Sequence, residues 1–540
     1  MSTGGLSSIN RALNSVPKRA EARQADQLRE TFVDSGVAAA LEAVDHQVVY
    51  GRRGTGKTHA FRYLQTIVQE RGDISFYADL RTIGSPEGLF AGEEIASTER
   101  AARLLVDLLG QFHDAVLTAV VDDEKLIADA TFVRKLDALG TAITSVRVTG
   151  SVEVSREGEQ AQSTTDGAGV GASVGVAGPA IDAKLTAGQG QESRQLGRET
   201  RSGTERLSLN FSDVARALRE LSQSLSSRRI WFLLDEWSSV PSDVQPYLGE
   251  FLVRCVLPLQ ERITVKIAAI EQQAQFRTQL PSGHLIGIEL GADVAANLDL
   301  DEFMVFEQNE ERARTFFRGL LFKHITAGRE ESSADTSIAA IRNESEFIAE
   351  GFTDRRAFDE LVRAAEGVPR DAINIAARAA LRASSSRISV PDCRAAARAW
   401  FQADKEAALT GRTDALPLLN WIIDRVIREK RARGFLVNQR SAAAPLLLAM
   451  FDARVLHVVR KGYSAQDEPG ERYDVYVIDY GAYVDLIHTK SEPLGTLSLG
   501  EYEDGGGYVD VPTQDLRAIR RSILDLEEFL STRFLAADRS

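Results

Sequence analysis

Short apolar runs and longer helical stripes alternate along the first half of this chain. Ile230-Trp231-Phe232-Leu233-Leu234 has no polar residue to break it. Such a run suits a strand buried on both faces of a parallel sheet. His46–Tyr50, Ile74–Leu80 and Ile263–Ile270 read as further strands. Between them lie residues at helical spacing: Phe61, Leu64, Ile67 and Val68; then Ala101 to Val121; then Phe211, Val214, Leu218, Leu221 and Leu225. Tyr247, Leu248, Phe251, Leu252 and Cys255 mark another helix, with Ser242 expected as its N-cap. Strands alternating with helices predict an α/β, doubly wound parallel sheet.

The pattern changes three times. Over 144–206 the apolar residues fall on every second position: Val146, Val148, Val152 and Val154, then Val170, Val174, Val176, Ile181 and Leu185. That is strand periodicity in a small, glycine-rich composition. It reads either as a flexible loop or as an extended β-hairpin needing a partner surface. Residues 304–400 read as wholly helical, interrupted at Gly367-Val368-Pro369-Arg370-Asp371, where glycine ends one helix and proline opens the next. From 413 to 490 come two helices, Leu416–Ile427 and Ala442–Phe451. Two strands follow, Val455–Val459 and Tyr473–Ile478. Helices followed by a hairpin with a polar loop form the pattern of a winged helix. An acidic, glycine-rich stretch at 492–508 precedes a helix carrying Leu516, Ile519, Ile523, Leu526 and Phe529. The expected organisation is a lead (1–30), an α/β core (31–143 and 207–303), a glycine-rich β insertion (144–206), a helical unit (304–411), a winged helix (412–490) and a tail with a helix (491–540).

At 540 residues, with 44% hydrophobic and 26% charged residues, several globular domains are expected. The two cysteines, Cys255 and Cys393, sit in apolar helical contexts and read as buried small hydrophobes. Nothing resembles a zinc site. Met1–Arg23 lacks the apolar core of a signal peptide, and no uninterrupted apolar stretch reads as a membrane helix, so a cytoplasmic location is expected. The net charge of −14 argues against a surface that coats nucleic acid everywhere. Over 411–465, however, ten Lys and Arg stand against four Asp and Glu. Arg425, Arg428, Lys430, Arg431 and Arg433 cluster there, and Arg460 and Lys461 stand at the wing. These are the candidate DNA contacts. The same run also reads as a solvated face on a protein-docking domain.

The sharpest chemistry is Gly51-Arg52-Arg53-Gly54-Thr55-Gly56-Lys57-Thr58, set between the first strand and the first helix. Glycines let the loop backbone turn its N–H groups onto one anion, and the helix N-terminus adds a positive dipole end. Lys57 supplies a point charge for β- and γ-phosphates, and the Thr58 hydroxyl suits Mg²⁺. The whole loop is therefore the candidate nucleotide cradle. Asp235-Glu236, at the carboxyl end of the most apolar strand, is its expected complement: Asp235 for the metal shell, Glu236 to polarise the attacking water. The strand after it ends in Glu271, the candidate γ-phosphate sensor. Arg370 is placed to reach a bound nucleotide.

These elements, in this order, resemble the origin-recognition-complex and replication-initiator branch of AAA+ P-loop ATPases over roughly residues 30–490. The Gly-x-Pro-Arg element and the winged helix narrow the branch. The resemblance implies an ATP switch using Mg²⁺, a helical lid over 304–411, assembly into a homo-oligomer, and binding of double-stranded DNA by the wing domain. It also implies an arginine finger completing a neighbour's site. Arg277 is the first candidate, with Arg254 and Arg262 in reserve. Two alternatives stand beside it: a signalling ATPase that controls a protein effector in a defence or mobile-element system, and a membrane-acting oligomer whose inserted hairpins form a barrel.

Overall fold

The computed structural model describes residues 6–18, 25–84, 96–144, 153–155, 200–202, 210–225, 228–301, 309–327, 341–412, 414–429, 432–442, 444–464, 471–484 and 523–537. Five parallel strands form the central sheet: β1 (Gln47–Tyr50), β2 (Ile74–Asp79), β3 (Ile230–Asp235), β4 (Ile263–Ala269) and β5 (Ala295–Asp299). Their order across the sheet is β2-β3-β4-β1-β5. Register is set by pairs such as Asp79 with Asp235, Leu234 with Ile267 and Tyr50 with Ala269. All carboxyl ends therefore lie along one edge, the edge where open α/β sheets bind ligands.

Both faces of the sheet are covered, which explains the unbroken apolar runs. Phe232 and Leu234 point into one core with helices Ser97–Val121, Ala130–Thr144, Phe211–Gln223 and Gln245–Cys255. Trp231 and Leu233 point the opposite way, onto Phe61, Leu64 and Val68 of helix Lys57–Glu70. A short antiparallel hairpin, Arg277–Gln279 with Leu285–Gly287, separates β4 from β5.

Helices Glu310–Thr326, Glu344–Gly351, Arg355–Ala364, Pro369–Ala383 and Val390–Trp400 form the lid. Helix Ser8–Ser15 packs into the same core through Ile9, Ala12 and Leu13, and Asn10 Nδ2 donates to the carbonyls of Ser384 (2.7 Å) and Ser386 (2.9 Å). Helix Ser8–Ser15 thus packs as part of the lid's core. The same apolar core runs on without a break into a third unit. There β6 (Gly434–Asn438), β7 (Leu456–Ser464) and β8 (Arg472–Ile478) form an antiparallel sheet of order β6-β8-β7. Helices Ala415–Ile422 and Pro445–Asp452 accompany it.

Several sequence expectations need correction. The helix after Pro241 begins at Gln245 with Val244 at its cap; Ser242 does not cap it. Instead Asp243 of that turn pairs with Arg100 at 2.6 Å. The strand β6 went unread, because Phe435-Leu436-Val437 is short and follows a basic run. Ile523 is not helical: it forms an isolated bridge to Leu436, and the last helix runs Leu526–Ala537. One helix, Ser97–Val121, is after all long and apolar enough by composition to cross a membrane. Its Leu104, Leu108, Phe112 and Val116 are buried in the sheet's core. In the 144–206 insertion, Glu153–Ser155 pairs antiparallel with Thr200–Ser202. Its Val146, Val148, Val152 and 170–185 positions lie outside the described residues, as do Leu516, Ile519 and the 492–508 stretch.

Candidate functional site: a phosphate loop closed by three units

The phosphate loop turns between β1 and helix Lys57–Glu70 through Gly54 (φ +87°) and Gly56 (φ +98°). A left-handed backbone there excludes most side chains. Gly54 has a second constraint, since a Cβ would stand 2.8 Å from the Arg370 Cβ. Lys57 Nζ donates to the carbonyls of Gly51 (2.7 Å) and Arg52 (3.0 Å), both in its own loop. Burial pushes its ammonium pKa down, with Glu236 and then Asp235 acting in the opposite direction. A phosphate would give this buried cation the anionic partner that two carbonyls only approximate.

The loop and the acidic strand meet. Thr58 Oγ1 donates to Asp235 Oδ2 at 2.7 Å. Tyr77 Oη from the adjacent strand β2 donates to the same oxygen at 2.8 Å. Asp235 Oδ1 accepts the Glu236 amide at 2.8 Å, so the fully buried carboxylate is held at both oxygens. Glu236 itself has φ +58°, uncommon for a residue with a Cβ. Arg81 Nη1, at the end of β2, lies 3.8 Å from its carboxylate.

A cavity of about 480 Å³ opens at this edge. Arg53, Gly54, Gly56, Lys57, Thr58 and Glu236 line it from the core. Pro369, Arg370 and His324 line it from the lid, Lys18 from the N-terminal segment, and Asp452 and Arg454 from the third unit. A smaller recess shares Gly56, His59, Leu320 and Pro369 with it and is otherwise largely apolar, with Phe32, Val37 and Phe316 in its wall beside Ser35 and Thr55. Arg370 reaches the loop directly: its amide donates to Gly54 O at 3.2 Å, and its guanidinium lies 3.8 Å from Asp404.

Not every loop residue faces the cavity. Arg52 was expected among the nucleotide ligands, but its side chain turns away and is buried. Nε donates to Asp301 (2.8 Å), Nη2 to the Glu366 carbonyl (3.0 Å), and Nη1 pairs with His457 Nδ1. Burial works against its charge, and Asp301, Glu366 and Asp371 outweigh that and raise its pKa. The Thr55 hydroxyl also turns back, donating to Arg52 O at 2.9 Å. Glu271 starts a short 3₁₀ turn beyond β4 and is not among the residues lining the cavity. Arg277 pairs with Glu289 at 3.0 Å, and Arg254 with Glu250 at 2.6 Å; neither they nor Arg262 line it.

The basic stretch divides in the same way. Arg433 was expected to contact DNA, but it is buried and pairs with Glu366 of the lid. Arg425 is exposed and bridges Glu429 (3.1 Å) and Glu528 (2.7 Å). Lys430 and Arg431, and the side chains of Arg428, Arg460 and Lys461, lie outside the described residues. Among the described residues no group of three or more His, Cys, Asp and Glu side chains could hold a metal ion. Both cysteines are buried and unbridged.

Sequence reasoning missed Arg81, Asp404, Asp452 and Arg454. Arg81 follows a strand's carboxyl end and was legible in principle. The other three belong to segments with no motif, brought to the cavity only by how the lid and third unit fold back.

A family model described as ORC-CDC6-like matches residues 15–84, a span holding β1, the phosphate loop, its helix and β2. No curated protein matches. Among solved structures, the crystal structure of Cdc6p from Pyrobaculum aerophilum aligns over 90% of this chain and 94% of that chain, at 12% identity and a TM-score of 0.28. A superposition that loose carries no argument about this protein. The described residues form an α/β P-loop fold with a helical lid, and over residues 15–84 the chain is similar to ORC-CDC6-like proteins.

Proposed function

We propose that this chain is an ATP-binding and ATP-hydrolysing switch of the AAA+ type. The observation that carries the reading is the 2.7 Å contact from Thr58 to Asp235, at the mouth of a cavity also lined by Lys57, Glu236 and Arg370. A hydroxyl and a carboxylate are hard oxygen donors that suit Mg²⁺, and both stand beside the phosphate loop. Mg²⁺ held there would neutralise charge on the phosphate oxygens. Lys57 would exchange its two loop carbonyls for phosphate oxygens. The Gly56 backbone, with open space where a Cβ would stand, leaves room for the anion. Glu236 accepts a proton from a water aimed at the terminal phosphate. Arg370 reads that phosphate from the lid, and the largely apolar recess walled by Phe32, Val37 and Phe316 takes the base.

The finer reading adds duplex DNA. The order helix, strand, two helices and two strands over 415–478 supports a winged helix, and the local excess of basic residues supports a phosphate-facing surface. Assembly of copies, with Arg277 on the short hairpin between β4 and β5 reaching a neighbour's nucleotide, belongs to the same proposal, as does a cytoplasmic setting. Control of a protein effector without DNA is the competing outcome.

The test is nucleotide titration with turnover. Lys57→Ala should weaken ATP binding about a hundred-fold. Glu236→Gln should keep ATP affinity and lower turnover by about 10²–10⁴-fold. Unchanged affinity in the first variant sinks the assignment of the cavity; unchanged turnover in the second sinks the role of Glu236.

A further inference from the structure

The segment Glu366–Asp371 carries Arg370 into the cavity, and residues of the third unit hold it at both ends. At its start Glu366 is buried with φ +51°. Its carboxylate takes the Arg433 guanidinium and the Tyr480 amide, the latter at 3.0 Å. Its carbonyl takes Arg52 of the phosphate loop at 3.0 Å. At the other end Asp371 is fully buried. It accepts from Arg454 Nη1 at 2.8 Å and from Trp400 Nε1 at 3.1 Å, and Lys405 Nζ lies 2.8 Å away. Arg454 also pairs with Asp404, the carboxylate that stands 3.8 Å from the Arg370 guanidinium. Between these two anchors the Arg370 amide rests on Gly54.

Buried pairs of this kind are costly to leave half-made, so the segment has few places to go while the third unit is docked. Resting on the proposed nucleotide site, we infer that Glu366 and Arg454 are positioning residues. They make the third unit part of the device that tells a triphosphate from a diphosphate. Arg370 makes the contact; Glu366 and Arg454 fix where it stands. Linkage then runs both ways. If a terminal phosphate draws Arg370 and changes the hold on this segment, the docking of the third unit changes by the same factor.

Two measurements test this on the full chain. The first compares equilibrium affinities for ATP and ADP. Arg370→Ala should lower the ATP-over-ADP preference about ten-fold. Glu366→Gln should lower it in the same direction while ADP affinity stays within about two-fold, and Arg454→Gln should lower it in the same direction. A merely structural role would weaken both nucleotides alike or neither, and a preserved ratio in both folded variants overturns the inference. The second uses the unaltered protein, so no variant need fold. Amide hydrogen exchange over β6 and β8 should differ between ATP-bound and ADP-bound protein. Identical exchange overturns the coupling while leaving the ATPase reading intact. Failure of the unaltered protein to bind either nucleotide overturns that reading, and the inference with it.

Discussion

Two parts of this molecule place cations side by side in sequence, and tertiary structure divides each set. In the phosphate loop, Arg53 lines the cavity while Arg52, its neighbour, is buried against Asp301, Glu366 and His457. In the third unit, Arg425 is solvent-facing while Arg433, eight residues on, is buried against Glu366. Both buried arginines end on one lid residue. The lesson is that a run of basic residues reports two things at once, a surface for anions and a fastening between units. Only the partner carboxylate tells them apart.

The comparison breaks most sharply at Arg433. Arg433→Met should cost roughly 3–5 kcal/mol, because it strands the buried Glu366 carboxylate. Denaturant unfolding reads this directly. A loss below about 1 kcal/mol would return Arg433 to the surface class. Next in size is the basic stretch from Arg428 to Arg431. Replacing Arg428, Lys430 and Arg431 together by Glu should weaken duplex DNA binding about a hundred-fold at moderate salt, and flatten the salt dependence by about one contact per residue. Stability should change little. An unaltered DNA affinity would favour the effector reading. Within the phosphate loop the parallel pair is Arg52→Met against Arg53→Met. The first should lower thermal stability and leave ATP affinity within a few-fold; the second should do the reverse, lowering ATP affinity about ten-fold. Equal effects would erase the distinction between the two neighbours.

The smallest expected effect is a response to pH at the same fastening. Burial, then the adjacent Arg52, lowers the His457 pKa to about 4. A neutral ring with its proton on Nε2 satisfies both neighbours: Nδ1 accepts from Arg52, and Nε2 donates to Asp479 at 2.9 Å. The unfolded chain titrates near the ordinary value of about 6.5. It therefore binds the proton first as pH falls. The stability held by neutral His457 is complete above about pH 6.5 and is lost progressively toward pH 4. Asp479, whose pKa is lowered by Lys405 and then His457 against the opposing effect of burial, adds a loss of the same sign at lower pH. Thermal unfolding followed from pH 7.5 to pH 5 should shift downward by a few degrees. His457→Gln should flatten that slope.

Much of the candidate site was legible because its signals are local. The glycines at 54 and 56, the lysine and threonine after them, and an acidic pair at the end of an unbroken apolar strand each follow from backbone geometry or two-sided burial. Strand order was not legible. β1 and β3 are not adjacent; β4 lies between them, yet the sheet brings Thr58 to 2.7 Å from Asp235. A hydrophobic period says which residues are buried but not which strand lies beside which.

By itself the sequence determined an alternating α/β core, the loop that can hold an anion, and the carboxylate pair that faces it. These rest on residue type and spacing within a few positions of one another. Tertiary structure alone decided that Arg52 and Arg433 are fasteners, that Glu271 stands away from the cavity, and that Asp452 and Arg454 line it. The holds on Arg52, Arg433 and Arg454 depend on partners that the chain supplies from tens to hundreds of residues away. Whether a charged side chain meets solvent, a ligand or a buried counter-charge is set by that partner and not by its neighbours in sequence.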